Sequence, residues 1–132
     1  MTAKVTYLGN LRTEAEHLQS GTRMITDAPV DNHGKGESFS PTDTVATALA
    51  TCMITIMGIK AQAMEISIEG TTAQVTKTMA TDPRRISKIE IVLTFPHKFD
   101  DKVMKILENA AKTCPVFYSL HPDMEKDIKF IW

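Results

Sequence analysis

Few residues in this chain could carry covalent chemistry. Cys52 and Cys114 are its two cysteines, 62 positions apart in 132 residues. A thiolate is a nucleophile, can be oxidised to a sulfenic acid, and can close on a second thiol as a disulfide. Two cysteines are too few for a disulfide scaffold, and their separation is not that of a CxxC redox motif. Each has a plainer reading, because a free cysteine is commonly a small buried hydrophobe. A reactive thiol needs an activating group, and four arginines are available: Arg12, Arg23, Arg84 and Arg85. The last two flank a turn and read as solvated. His17, His33, His97 and His121 are scattered without HExxH spacing, so no metal site is signalled.

The elements that hold the two cysteines are legible. Ser40-Pro41-Thr42-Asp43 offers a capping Ser, a Pro at the first helical position and an acid at the third. A helix running from there to about Met64 carries Cys52 about three turns past its start, where dipole effects have faded. One face is a stripe of small polar residues (Thr44, Thr47, Thr51, Thr55, Gly58, Gln62), and Val45, Ala48, Leu49, Cys52, Met53, Ile56 and Ile59 cover most of the rest. With no charge from Thr44 to Ile59, the helix should be buried on nearly all sides. A domain of this size seldom surrounds a helix completely, so a partner chain is expected to supply part of the cover. The uncharged run falls short of the roughly twenty residues that span a bilayer. Cys114 precedes Pro115, and a residue before proline avoids the helical region, so it marks a helix break. If Pro115 opens a new turn, Cys114 caps it, near unpaired N–H groups.

Around these lie short strands at Lys4–Leu8, Arg12–Leu18 and Thr22–Thr26, separated by the turn pairs Gly9-Asn10 and Ser20-Gly21. Residues 27–39 read as a polar loop. Ile66 and Ile68 lead into Ala73, Val75 and Met79 with a switch of parity, which predicts a strand with a bulge near Gly70. Asp82-Pro83 is a turn, and Ile89, Ile91, Leu93 and Phe95 alternate as a strand. Asp100–Thr113 is an amphipathic helix, Pro115–Leu120 a short one, and Asp127–Trp132 a final strand. The sum is one α+β domain over residues 1–132, with an antiparallel sheet and one long central helix. Composition is 42% hydrophobic and 23% charged with a net charge of −1, ordinary for a globular domain and a poor match to a nucleic-acid backbone. The start, MTAKVTYLGN, has no apolar signal-peptide region, so a cytoplasmic location and no membrane partner are expected.

Gly36-Glu37-Ser38-Phe39-Ser40-Pro41-Thr42-Asp43, the small-residue helix reaching Ala50-Thr51-Cys52-Met53, and the late Cys114-Pro115 together resemble the OsmC/Ohr family of osmotically inducible and organic-hydroperoxide-resistance proteins. The resemblance covers nearly the whole chain. It implies an OsmC-like fold, with antiparallel sheet wrapped around a long central helix in an intertwined homodimer. It implies a thiol peroxidase in which Cys52 attacks an organic hydroperoxide, Cys114 resolves the sulfenic acid to a disulfide, and an external dithiol such as a lipoyl protein restores both thiols, with no bound cofactor. The activating arginine it implies is Arg12, with Arg23 second. Ohr-type members carry Glu at the position of Thr42, ten residues before the reactive cysteine, and this chain does not. Asp43 is therefore the candidate acid, with helix capping as its alternative, and Glu37 is a weaker candidate. Phe39, Met53, Met57, Phe117 and Tyr118 are expected to line an apolar substrate pocket, or else to be plain core. Two other readings stand beside the peroxidase: a non-catalytic small-molecule-binding dimer of this fold, and a hot-dog-type thioesterase using Asp43 and neither cysteine.

Overall fold

The computed structural model describes all residues, 1–132. The chain forms two compact units, Met1–Val45 and Ala46–Trp132.

The first unit is an antiparallel meander of β1 (Ala3–Gly9), β2 (Arg12–His17) and β3 (Arg23–Asp27) in the order β1-β2-β3. Gly9, Asn10 and Leu11 reverse the chain with positive φ angles of 85°, 51° and 62°, conformations that glycine and asparagine tolerate best. Between β2 and β3 the register pairs Glu16 with Arg23 and Arg12 with Asp27. Residues after β3 fold back along it. The Asp27 N–H donates to the Phe39 carbonyl at 3.1 Å, and the Ser38 hydroxyl donates to the Ile25 carbonyl at 2.8 Å. A short 3-10 turn at Val30–Asn32 lies within this loop. Gly34 is obligatory here, since a Cβ on it would fall 1.6 Å from the Ala28 carbonyl oxygen. Several apolar side chains of this unit stand exposed, among them Val5, Tyr7, Leu8, Leu18 and Met24.

α1 (Pro41–Ala63) begins with a reciprocal capping box. The Ser40 N–H donates to Asp43 Oδ2 at 2.8 Å, and the Asp43 N–H donates to Ser40 Oγ at 3.0 Å. Pro41 sits where a missing N–H costs nothing. At 23 residues, α1 is long and apolar enough to cross a bilayer by length and composition, which the shorter uncharged run did not suggest. It is nevertheless a core helix on one side. Leu49, Met53 and Met57 have no exposed surface, and Ala46, Ala50 and Ala61 complete the stripe. Burial on nearly all sides is not what this chain provides, because Thr51, Thr55 and Ile59 remain exposed.

The second unit packs that stripe with β4 (Thr72–Ala80), β5 (Arg85–Thr94), α2 (Asp101–Lys112), α3 (Pro115–Ser119) and β6 (Glu125–Ile131). The alternation in β5 places Ile89, Ile91 and Leu93 in the core with no exposed surface. The α+β architecture with antiparallel sheets is as expected, with three local differences. The strands form two three-stranded sheets, and β6 joins β5 in parallel. A parallel neighbour requires a long crossover, and α2 and α3 supply it. Residues 66–68 are not strand: the parity switch at Gly70 arises from a turn at Glu69-Gly70, while the bulge lies opposite Thr78 and Met79, where Ser87 is the extra residue. The helix α2 starts on Asp100, whose carboxylate accepts the Val103 N–H at 2.9 Å, and it buries Leu107 and Ala111.

Leu107 is fully buried and central to the second unit. Leu107→Ala is expected to lower stability by about 2–5 kcal/mol. Urea unfolding should show a lower midpoint at unchanged slope. A loss under about 0.5 kcal/mol, the range of ordinary surface changes, would show that this side chain is not core.

Candidate active site

Candidate site residues gather in two constellations, one in each unit. In the first, the β2–β3 register sets Arg12 directly opposite Asp27. Arg12 Nε donates to Asp27 Oδ1 at 2.7 Å and Nη2 donates to Oδ2 at 2.8 Å, a two-pronged pair. The loop returning along β3 brings Glu37, whose Oε2 accepts from the same Nη2 at 2.9 Å. A guanidinium has five N–H donors. These bonds use the Nε hydrogen and both on Nη2, which leaves the two on Nη1. Asp27 is only 2% exposed, whereas Glu37 is 62% exposed. The Asp27 bond, then the Glu37 bond, push Arg12 further into its charged form. The Arg12 hydrogen bond holds the Asp27 carboxyl below its ordinary value, against a burial effect in the other direction.

The second constellation is the cysteine pair. Cys52 is half-buried on α1 and Cys114 is buried with no exposed surface, and both are free thiols. Cys114 caps α3 in extended conformation, with φ −71° and ψ 148°, as the proline rule requires. Its sulfur accepts the Phe117 N–H at 3.4 Å. Burial pushes the Cys114 thiol up, the Phe117 N–H opposes this, and the neighbouring Cys52 side chain raises it further. The two thiols are neighbours in the core of the second unit, although the sequence separates them widely.

The other expected site residues are distributed unevenly. Asp43 closes the capping box with Ser40. Arg23 lies on β3 beside Glu14 and Glu16, at 3.4 and 3.9 Å. Met53 and Met57 have no exposed surface and sit in the core cluster. Phe117 is partly buried against that core, edge-on to Tyr118 with ring centroids 6.2 Å apart, and Tyr118 is 71% exposed. Phe39 is exposed in the first unit. The residue that sequence reasoning missed is Asp27. A turn centred on Ser20-Gly21 would have paired Arg12 with Pro29; the true centre lies one position earlier, which brings Asp27 opposite.

Asp27 also provides a pH test. A carboxyl whose folded pKa lies below its unfolded value, about 3.9, contributes stability that is complete above that value and disappears as the pH falls through the folded one. Asp27→Asn is therefore expected to destabilise the protein most at neutral pH. The gap in urea midpoint between wild type and variant should shrink as the pH falls below about 4. A gap that does not change with pH would show that Arg12 does not hold this carboxylate in solution.

The family model described as OsmC-like protein matches residues 34–129. A crystal structure from Psychrobacter arcticus 273-4, of a protein provisionally named an osmotic stress induced and detoxification response protein, is 61% identical, with a TM-score of 0.96 over 98% of this chain and 95% of that one. An organic hydroperoxide resistance protein OsmC from Legionella pneumophila is 14% identical, with a TM-score of 0.75 over 100% of this chain and 98% of that one. An organic hydroperoxide resistance protein from Elizabethkingia anophelis, solved with thiocyanate bound, is 13% identical, with a TM-score of 0.76 over 99% and 96%. At such identities the last two establish a shared fold. A search of curated proteins finds no match.

Proposed function

The chain belongs to the OsmC-like protein family, and on that premise we propose that it is a thiol-dependent peroxidase that reduces organic hydroperoxides. The observation that carries this reading is the cysteine pair: two free thiols, remote in sequence, interact across the second unit with one of them partly open to solvent. In the proposed cycle the Cys52 thiolate attacks the distal oxygen of ROOH. The O–O bond breaks, the alkoxide leaves and takes a proton as the alcohol, and Cys52 becomes a sulfenic acid. The Cys114 thiol condenses with it, releasing water and forming a disulfide. An external dithiol restores both thiols, which suits a reducing compartment such as the cytoplasm.

Arg12 is the proposed activating residue, although Thr42 stands in place of the usual glutamate. The clamp that the glutamate would supply is replaced by Asp27 from the opposite strand and Glu37 from the loop. Acidifying a thiol is not enough to explain an arginine here. Lowering any thiol pKa from about 8.5 to about 5.5 raises the thiolate fraction at pH 7 roughly 30-fold. The same change costs roughly 20-fold in nucleophilicity at a Brønsted slope near 0.45. The larger contribution is orientation of the peroxide and stabilisation of charge on the departing oxygen, for which a planar fork with two unused N–H groups is suited.

The functional unit is proposed to be a homodimer. Exposed apolar side chains on β1–β3, together with Val45 and Ile59 on α1, support it, since a monomer gains nothing from presenting them to water.

Intact-mass measurement under denaturing conditions tests the reading. One equivalent of organic hydroperoxide should remove two hydrogens, about 2 Da, from wild type. Cys114→Ser should instead retain one added oxygen on Cys52. No mass change in either protein would overturn the peroxidase. In stopped-flow kinetics, Arg12→Lys keeps the charge and should lose most of the peroxide rate, by about 10²-fold or more. An unchanged rate would remove Arg12 from the mechanism.

A further inference from the structure

The two sulfurs of the proposed disulfide differ in access, and that difference selects the point of reductive attack. Cys114 has no exposed surface and belongs to the same buried cluster as Leu107, Ala111 and Met53. Cys52 is half-buried, with the exposed residues Thr51 and Thr55 beside it on α1. Thiol–disulfide exchange requires the incoming thiolate to reach a sulfur from the side away from the bond being broken. At Cys114 that approach is filled by the core of the second unit. Association with a second copy could cover Cys52 further, but it cannot uncover Cys114, whose cover comes from its own chain.

We propose that an external dithiol recycles the oxidised protein by attacking the Cys52 sulfur and expelling Cys114. In the first step the reductant thiolate forms a bond to Cys52 Sγ and the Cys52–Cys114 bond breaks. The electron pair leaves with Cys114, which then takes up a proton. In the second step the reductant's other thiol, deprotonated, attacks the reductant sulfur of the mixed disulfide. It closes a cyclic disulfide and releases Cys52 as a thiolate. The protein disulfide is reduced to two thiols, and one dithiol is oxidised. The Phe117 N–H lies 3.4 Å from Cys114 Sγ, where charge develops in the first step. Burial raises the Cys114 thiol and makes it a poorer leaving group, which slows the exchange without opening the other sulfur to attack. Cys52 thus meets both the oxidant and the reductant, while Cys114 serves only as the internal partner.

This inference rests on the disulfide and external-dithiol steps of the peroxidase reading and not on the peroxide, so the test forms the disulfide with diamide. The full-length oxidised protein is mixed with the monothiol 2-mercaptoethanol, quenched in acid within the first turnover, and alkylated with N-ethylmaleimide at low pH. Peptide mapping should find the monothiol on Cys52 and the alkyl group on Cys114, with the reverse pattern at least about ten-fold rarer. The reverse pattern, or equal labelling of the two cysteines, would overturn the inference while leaving the disulfide intact. Diamide-treated protein that shows no loss of two hydrogens would overturn the disulfide itself, and this inference with it.

Discussion

The burial of one apolar stripe on α1 is the constraint on which the rest of the second unit depends. A helix with several threonines has weak intrinsic preference for its conformation and must be held by packing. Leu49, Met53 and Met57 achieve this by sharing a core with Ile89, Ile91 and Leu93. That packing fixes the rotation of α1 about its axis. Cys52 immediately precedes Met53, so fixing Met53 inward leaves Cys52 at the edge of the buried stripe, half covered. The same core receives Leu107 and Ala111 from α2, and Cys114, which follows that helix and caps α3, lies in it too. The meeting of the two thiols is thus a by-product of hydrophobic packing.

In the first unit the organising interaction is electrostatic. A fully buried carboxylate is costly unless it is paired and hydrogen-bonded. Asp27 meets both conditions through the two-pronged contact with Arg12 and so immobilises a long cationic side chain on one strand. Glu37 adds a third bond from an exposed position, where pairing contributes little to stability. The arginine is consequently oriented by the sheet register first and by the loop second. This arrangement explains how a chain with Thr42 in place of an acid can keep an oriented guanidinium.

Much of this was legible in the residues. The capping box at Ser40 and Asp43, the long helix, the alternation of β5 and the extended Cys114 before Pro115 all follow from local rules that depend on neighbours a few positions away. Residues 66–68 are not strand although Ile66 and Ile68 alternate, because alternation alone supplies no partner strand to pair with. The parallel entry of β6 was not visible, since its alternation of Ile128, Phe130 and Trp132 is the same for either strand direction. Met53 and Met57 could not be told apart from pocket residues by type, because core and pocket use the same side chains.

By itself, the sequence determined which residues can react, where each helix begins and ends, and the family to which the chain belongs, because caps, prolines and motif spacings act locally. The tertiary structure decided which carboxylate serves Arg12 and which cysteine faces solvent. The first depends on a hairpin register in which one position of error replaces Asp27 with Pro29. The second depends on how a helix is rotated in its core, and only the packing of residues distant in sequence sets that.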